Sequence, residues 1–160
     1  MSTVRELLAE AVQNAARVAV LGCGSPLLGD DAAGHLIAER LTGFDGNTRA
    51  FCGSTAPENF TGEIKNFRPD VLLVIDAADM SLPAGQAAFI PPEEIKGASF
   101  STHMLPLHIM LDYLRQETGC RVFLLGIQAV SLEFGSNMTP EVQATVKEVA
   151  KALLELRSDT

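Results

Sequence analysis

The sequence predicts an α/β fold, a three-layer sandwich with a largely parallel central sheet flanked by helices. Two observations carry this reading. The short apolar runs "VAVL" (18–21), "VLLVI" (71–75) and "VFLLGI" (122–127) lack a helical period, as suits strands buried on both faces. Between them lie segments of helical period, and strands alternating with helices of these lengths build parallel sheets covered on both sides.

Each element follows from its residues. From Thr3 to Ala15, Val4, Leu7, Leu8, Ala11 and Val12 recur at helical spacing with Arg5, Glu6, Glu10 and Gln13 between them. Arg17 to Gly22 is an apolar run that stops at glycine and reads as the first strand. Asp31 to Leu41 reads as a helix that offers Leu36, Ile37 and Leu41 to a core. Thr48 to Cys52 reads as a strand, and a helix opens at Pro57, in the favoured first turn, and runs to Phe67. Asp70 to Asp79, "DVLLVIDAAD", is the clearest buried strand and carries acids at its C-terminal end. "GQAAFI" reads as a short strand, and "MLPLHIMLDYLRQETG" as a helix with proline in its first turn and Gly119 as its stop. "RVFLLGIQ" is a further buried strand, and a helix from Pro140 to Leu156 closes the chain.

The 160 residues suit one domain spanning 1–160, long enough to bury roughly 70% of the surface an unfolded chain exposes. The net charge is −8 and the 12 Lys and Arg residues are scattered, which disfavours a nucleic-acid partner and points to one that is neutral or locally basic. Glu6 and Glu10 interrupt what a signal peptide would need as an apolar core, and no run approaches the roughly 18 apolar residues of a membrane span. Cys23, Cys52 and Cys120 lack CxxC spacing, which argues against a disulfide framework and a zinc knuckle. The expected location is the cytoplasm.

The loop after the first strand, "GCGSPLLGDD" (22–31), invites comparison with phosphate loops and fails it. Gly24 and Gly29 have the glycine spacing of G-x-x-x-x-G-K-[ST], but Asp30 and Asp31 stand where lysine and a hydroxyl residue would meet phosphate and magnesium. The dinucleotide pattern fails because Leu27 occupies the third glycine position. The plain reading has the glycines making a tight turn, Asp30 capping the next helix and Asp31 near its positive end.

Ligand sites in such sheets gather beyond the carboxyl ends of the strands. Asp76 follows "VLLVI" and is either a loop solvator or a site residue; His103, in "FSTHMLPL", is either a structural histidine at a helix start or a ligand. Asp31, Asp76 and His103 together would make a three-ligand site for a divalent transition metal with open positions for water or substrate. Asp79 reads as a turn residue, His35 and His108 as surface or packing residues, and Met104 and Met110 as core filler. Cys52 reads as either a buried strand-end residue, the commoner fate of a free cysteine, or a reactive thiol. No Ser/His/Asp or Cys/His arrangement stands out, which disfavours a covalent mechanism.

Five motifs in order, "GCGSPLLGDDAAG", "GSTAPEN", "LLVIDAADMSLPAG", "STHMLPL" and "FLLGIQ", resemble the NiFe-hydrogenase maturation endopeptidases, of the type that matures hydrogenase 3. The resemblance covers nearly the whole chain after the first helix. It implies an aspartate-bearing endopeptidase that removes the C-terminal extension of a large-subunit precursor after nickel insertion, with nickel arriving in the precursor. It further implies that Asp31, Asp76 and His103 are both the nickel ligands and the catalytic residues. Asp30 would then be a cap or a support behind Asp31, and the acidic chain could complement a basic surface on the precursor. The chain departs from the family pattern at Cys52-Gly53-Ser54, where members often carry Asp-Gly-Gly. A non-catalytic nickel or precursor-binding module, or a small-molecule binding protein, would share the same fold.

Overall fold

The computed structural model describes residues 2–44, 46–91 and 104–158, with the backbone alone for 104–106. The chain runs α1 (Val4–Val12), β1 (Val18–Cys23), α2 (Ala33–Arg40), β2 (Thr48–Ser54), α3 (Thr61–Phe67), β3 (Val71–Ala78), β4 (Ala87–Ile90), α4 (Met104–Thr118), β5 (Arg121–Gln128) and α5 (Pro140–Arg157). Short 3₁₀ turns at Gly29–Ala32 and Pro57–Phe60 lead into α2 and α3, so the two helices read from sequence as continuous begin with a tighter turn. The first helix is shorter than its apolar pattern, ending at Val12, and Thr3 caps its start by accepting from the Glu6 N–H at 3.1 Å.

The strands form one sheet in the order β2-β1-β3-β5-β4. β2, β1, β3 and β5 are parallel, and β4 joins the β5 edge antiparallel. The fold class expected from sequence is therefore observed.

Alternation along the strands divides the core in two. Val18, Val20, Val71, Leu73 and Ile75 meet α1, α2 and α5 through residues such as Leu8, Ile37 and Val146. Ala19, Leu21, Cys23, Leu72 and Val74 meet α3 and α4 through Ile64, Phe67, Leu107 and Leu111. Leu72, Leu73 and Ile75 are completely buried, each worth about 1.5–3 kcal/mol in apolar transfer. This burial on both faces explains why β3 reads as an unbroken apolar run. Met110 is buried in the α3–α4 layer, as core filler should be.

The order places β1 between β2 and β3. The chain leaves β1 toward β2 and returns past it to β3, so the carboxyl ends of β1 and β3 flank the point where the winding reverses, the usual position of a site in an open α/β sheet.

Candidate functional site

β1 and β3 end at different heights. Gly22 pairs with Ile75, after which β1 stops at Cys23 while β3 continues to Ala78. Asp76 is the first β3 residue beyond that last pair and lies on the sheet face shared with Leu72 and Val74, toward α3 and α4. It is completely buried, and its Oδ1 accepts from the Ala77 N–H at 2.9 Å. Of its two readings from sequence, a solvated loop acid is excluded by this burial.

Asp31 reaches the same region from the loop after β1. It is buried, and its Oδ2 accepts from the Ser25 N–H at 2.7 Å, across the turn that the glycines make. Gly24 has φ of +116°, and a Cβ there would overlap the Asp31 carbonyl oxygen; no other residue lets the loop fold back so closely. A Cβ on Gly34 would overlap the carbonyl oxygens of Ile75 and Cys23, so glycine at that position lets α2 rest directly on the ends of β1 and β3.

The two acids share a common neighbour. Cys23, fully buried at the end of β1, has its thiol pushed well above the ordinary value by burial first, then by the negative charges of Asp76, Asp31 and Glu58. Such a thiol holds its proton at neutral pH. Glu58, within the "APEN" stretch, thus belongs to the same acidic neighbourhood, and its Oε2 is buried without a hydrogen-bond partner among the described residues. No role was read for it from sequence, because its partners in space come from β1 and β3 rather than from its own segment.

Asp30 does something other than cap α2. No side-chain cap bond is made at the start of the 3₁₀ turn or of α2. The completely buried Asp30 carboxylate accepts instead from the N–H groups of Val130 (2.8 Å) and Ser131 (3.1 Å), and from the N–H (2.8 Å) and hydroxyl (3.0 Å) of Thr139. It ties the loop after β5, and the residue that opens α5, to the glycine loop. Gln128 at the end of β5 fixes the loop after β3: its Oε1 accepts from Met80 and Leu82, and its Nε2 donates to Asp79 and Ala129.

Asp79 is exposed and accepts from the Ser81 N–H at 3.1 Å, a turn residue as read from sequence. His35 meets Glu39 and His108 meets Asp112 one helical turn on, consistent with surface or packing roles. Cys52 is half-buried rather than buried, and it pairs in register with Gly22. It therefore points to the face opposite Phe51, away from Asp76, and burial and then Glu39 raise its thiol. Ser54, the last residue of the departing segment, accepts at its carbonyl from the Gly24 N–H at 2.9 Å and so abuts the glycine loop. His103 and the side chain of Met104 lie outside the described residues. Among the described residues, no three His, Cys, Asp or Glu side chains form a ready metal cage.

The family model for hydrogenase maturation proteases of the HycI type matches residues 35–156. A Methanocaldococcus jannaschii protein assigned to the hydrogenase maturation proteases is 30% identical over 162 residues, spanning 96% of this chain and 95% of its own. The chain belongs to the hydrogenase maturation protease family. The hydrogenase 3 maturation protease of Escherichia coli K12 is 37% identical over 137 residues, covering 84% of this chain and 87% of that protein. Among solved structures, the NiFe hydrogenase maturation protease HycI from Thermococcus kodakarensis superposes with a TM-score of 0.86 at 27% identity, over 95% of this chain and 99% of the other. The M. jannaschii alignment spans nearly the whole chain, whereas the family match begins at residue 35, just past Asp31.

Proposed function

We propose that this hydrogenase maturation protease removes the C-terminal extension of a NiFe-hydrogenase large-subunit precursor after nickel has been inserted, and that the precursor brings the nickel. The observation that carries the reading is the placement of two buried carboxylates, Asp31 and Asp76, where β1 and β3 part at the reversal of the sheet.

The donor set suits such a metal. Backbone N–H groups hold each carboxylate, Ser25 on Asp31 and Ala77 on Asp76, and help to fix its direction. By resemblance His103 supplies the third donor, and two carboxylates with an imidazole leave positions open on a divalent transition metal. Asp31, Asp76 and His103 would hold the nickel, whose open positions would serve to orient the scissile region, polarise its carbonyl or activate water. The chain's own residues hold the substrate's metal from the buried floor where β1 and β3 part. The reaction takes place in the cytoplasm, and the acidic chain meets a neutral or basic face of the precursor.

The test is the intact mass of a large-subunit precursor, with and without inserted nickel, before and after incubation with this protein. Loss of a C-terminal peptide from the nickel-loaded form alone is the expected result. Equal cleavage of both forms, or cleavage of neither, contradicts the proposal.

A further inference from the structure

Four of the large apolar side chains exposed among the described residues belong to two loops that are bonded to each other. Leu27 is 60% exposed on the glycine loop, and Val130 (60%), Leu132 (48%) and Phe134 (78%) are exposed on the loop after β5. Exposed apolar side chains gathered on neighbouring loops, unlike ones scattered singly, are where a partner docks.

These side chains stand on a fixed backbone. The Asp30 N–H donates to the Ser131 carbonyl at 2.8 Å while the Asp30 carboxylate accepts from Val130, Ser131 and Thr139. The Gly135 N–H donates to the Leu27 carbonyl at 2.8 Å, and the Ser136 hydroxyl closes the turn onto the Glu133 carbonyl at 2.7 Å. Burying a carboxylate without a cation is costly unless several donors meet it, and here that cost is met for the sake of holding a surface loop still. Because folding has already ordered the loop, a partner that docks on it loses little further entropy.

The charge around the patch limits what fits. Glu133 lies within it, and no Lys or Arg occurs from 122 to 146 or from 18 to 39. Asp31 directly follows Asp30, the residue that anchors the loop, so the loop's anchor and the proposed site share the turn after β1.

We propose that Leu27, Val130, Leu132 and Phe134 form the docking platform for an apolar segment of the large-subunit precursor flanked by basic residues. This rests on the proposed function and assigns the surface that carries the precursor's affinity. Contact with the folded precursor is placed on the rigid loop, and contact with its metal is left to the buried acids.

Binding and processing of a nickel-loaded precursor are measured in parallel for the wild-type chain, the double variant Leu132→Ser/Phe134→Ser, the variant Glu133→Lys and the control Leu154→Ser. Leu154 is exposed on α5, and its truncation reports the general effect of removing surface leucine. The expected result is a Kd raised at least tenfold in the double variant and severalfold in Glu133→Lys, with KM rising more than kcat falls, and no change in the control. Thermal unfolding of each variant checks that the fold is kept. Unchanged Kd in the double variant overturns the platform. So does a loss confined to self-association in sedimentation, which would make the patch a contact between copies. Binding that is lost in the double variant although the wild-type chain cleaves nothing would keep the platform and sink the endopeptidase reading. A wild-type chain that neither binds nor cleaves overturns both.

Discussion

Asp30 and Thr139 are 109 residues apart in sequence and joined by two hydrogen bonds, from the Thr139 N–H at 2.8 Å and its hydroxyl at 3.0 Å to the Asp30 Oδ1. The adjacent Asp31 accepts from Ser25 instead. Two consecutive acids thus divide their work: one ties distant loops together, and the other holds the turn after β1 beside Cys23.

Replacing Asp30 by Ala leaves the donors of Val130, Ser131 and Thr139 without their acceptor. The expected cost is about 2–4 kcal/mol, since groups left unsatisfied cost about 1–3 kcal/mol each and the opened loop recovers part of this from water. Urea unfolding measures the loss, and hydrogen exchange should show faster exchange at 130, 131 and 139. Stability within 0.5 kcal/mol of wild type, as expected of an ordinary surface change, contradicts the tether.

Arg157, near the opposite end of the sheet, is buried and donates to the Thr48 hydroxyl (2.8 Å) and the carbonyls of Ala15 (2.9 Å) and Ala16 (3.0 Å). It locks the end of α5 to the entry of β1 and β2. Arg157→Met keeps much of the stem and removes the donors, so a loss of about 2–4 kcal/mol is expected, with processing per folded molecule unchanged. A parallel loss of specific activity would show that this end of the molecule bears on the site.

The thiols give a chemical check on the site floor. Cys23 and Cys120 are buried and Cys52 is half-buried. A thiol reagent at about pH 8 should therefore titrate no more than Cys52 in the native protein and all three cysteines after unfolding. The raised Cys23 also sets a pH dependence. Below its ordinary value of 9.0 the thiol is protonated whether the chain is folded or unfolded, and its contribution to stability is intact. As pH rises past that value the unfolded chain ionises and the folded one does not, so stability falls. Urea unfolding of Cys23→Ala should show a shallower alkaline decline, even from a lower starting stability. An identical decline in the variant would remove Cys23 as its source.

These contrasts show where the sequence was informative. β3 was legible because a strand buried on both faces must be apolar throughout, and α5 because Pro140 opens a long helical period. Asp76 and Asp31 stood out as acids next to strand ends, where parallel sheets place their sites. The tether of Asp30, the lock of Arg157 and the neighbourhood of Glu58 were not legible, because each depends on groups brought together from distant segments. Nothing within "GDD" distinguishes a helix cap from a carboxylate aimed at a loop 100 residues later. The antiparallel placement of β4 also follows from the tertiary arrangement rather than from its four residues.

In the proposed function, Asp31 and Asp76 meet the precursor's nickel during cleavage. The most direct measurement is the rate of C-terminal peptide release from a nickel-loaded precursor, followed by intact mass, for wild type, Asp31→Asn, Asp76→Asn and the turn variant Asp79→Asn. Losses of roughly 100-fold or more are expected for Asp31→Asn and Asp76→Asn with the fold kept by circular dichroism, since each exchanges an anionic ligand for a neutral one. Asp79→Asn should match wild type, because its exposed side chain serves a turn. Wild-type rates in both Asp31→Asn and Asp76→Asn would contradict the account.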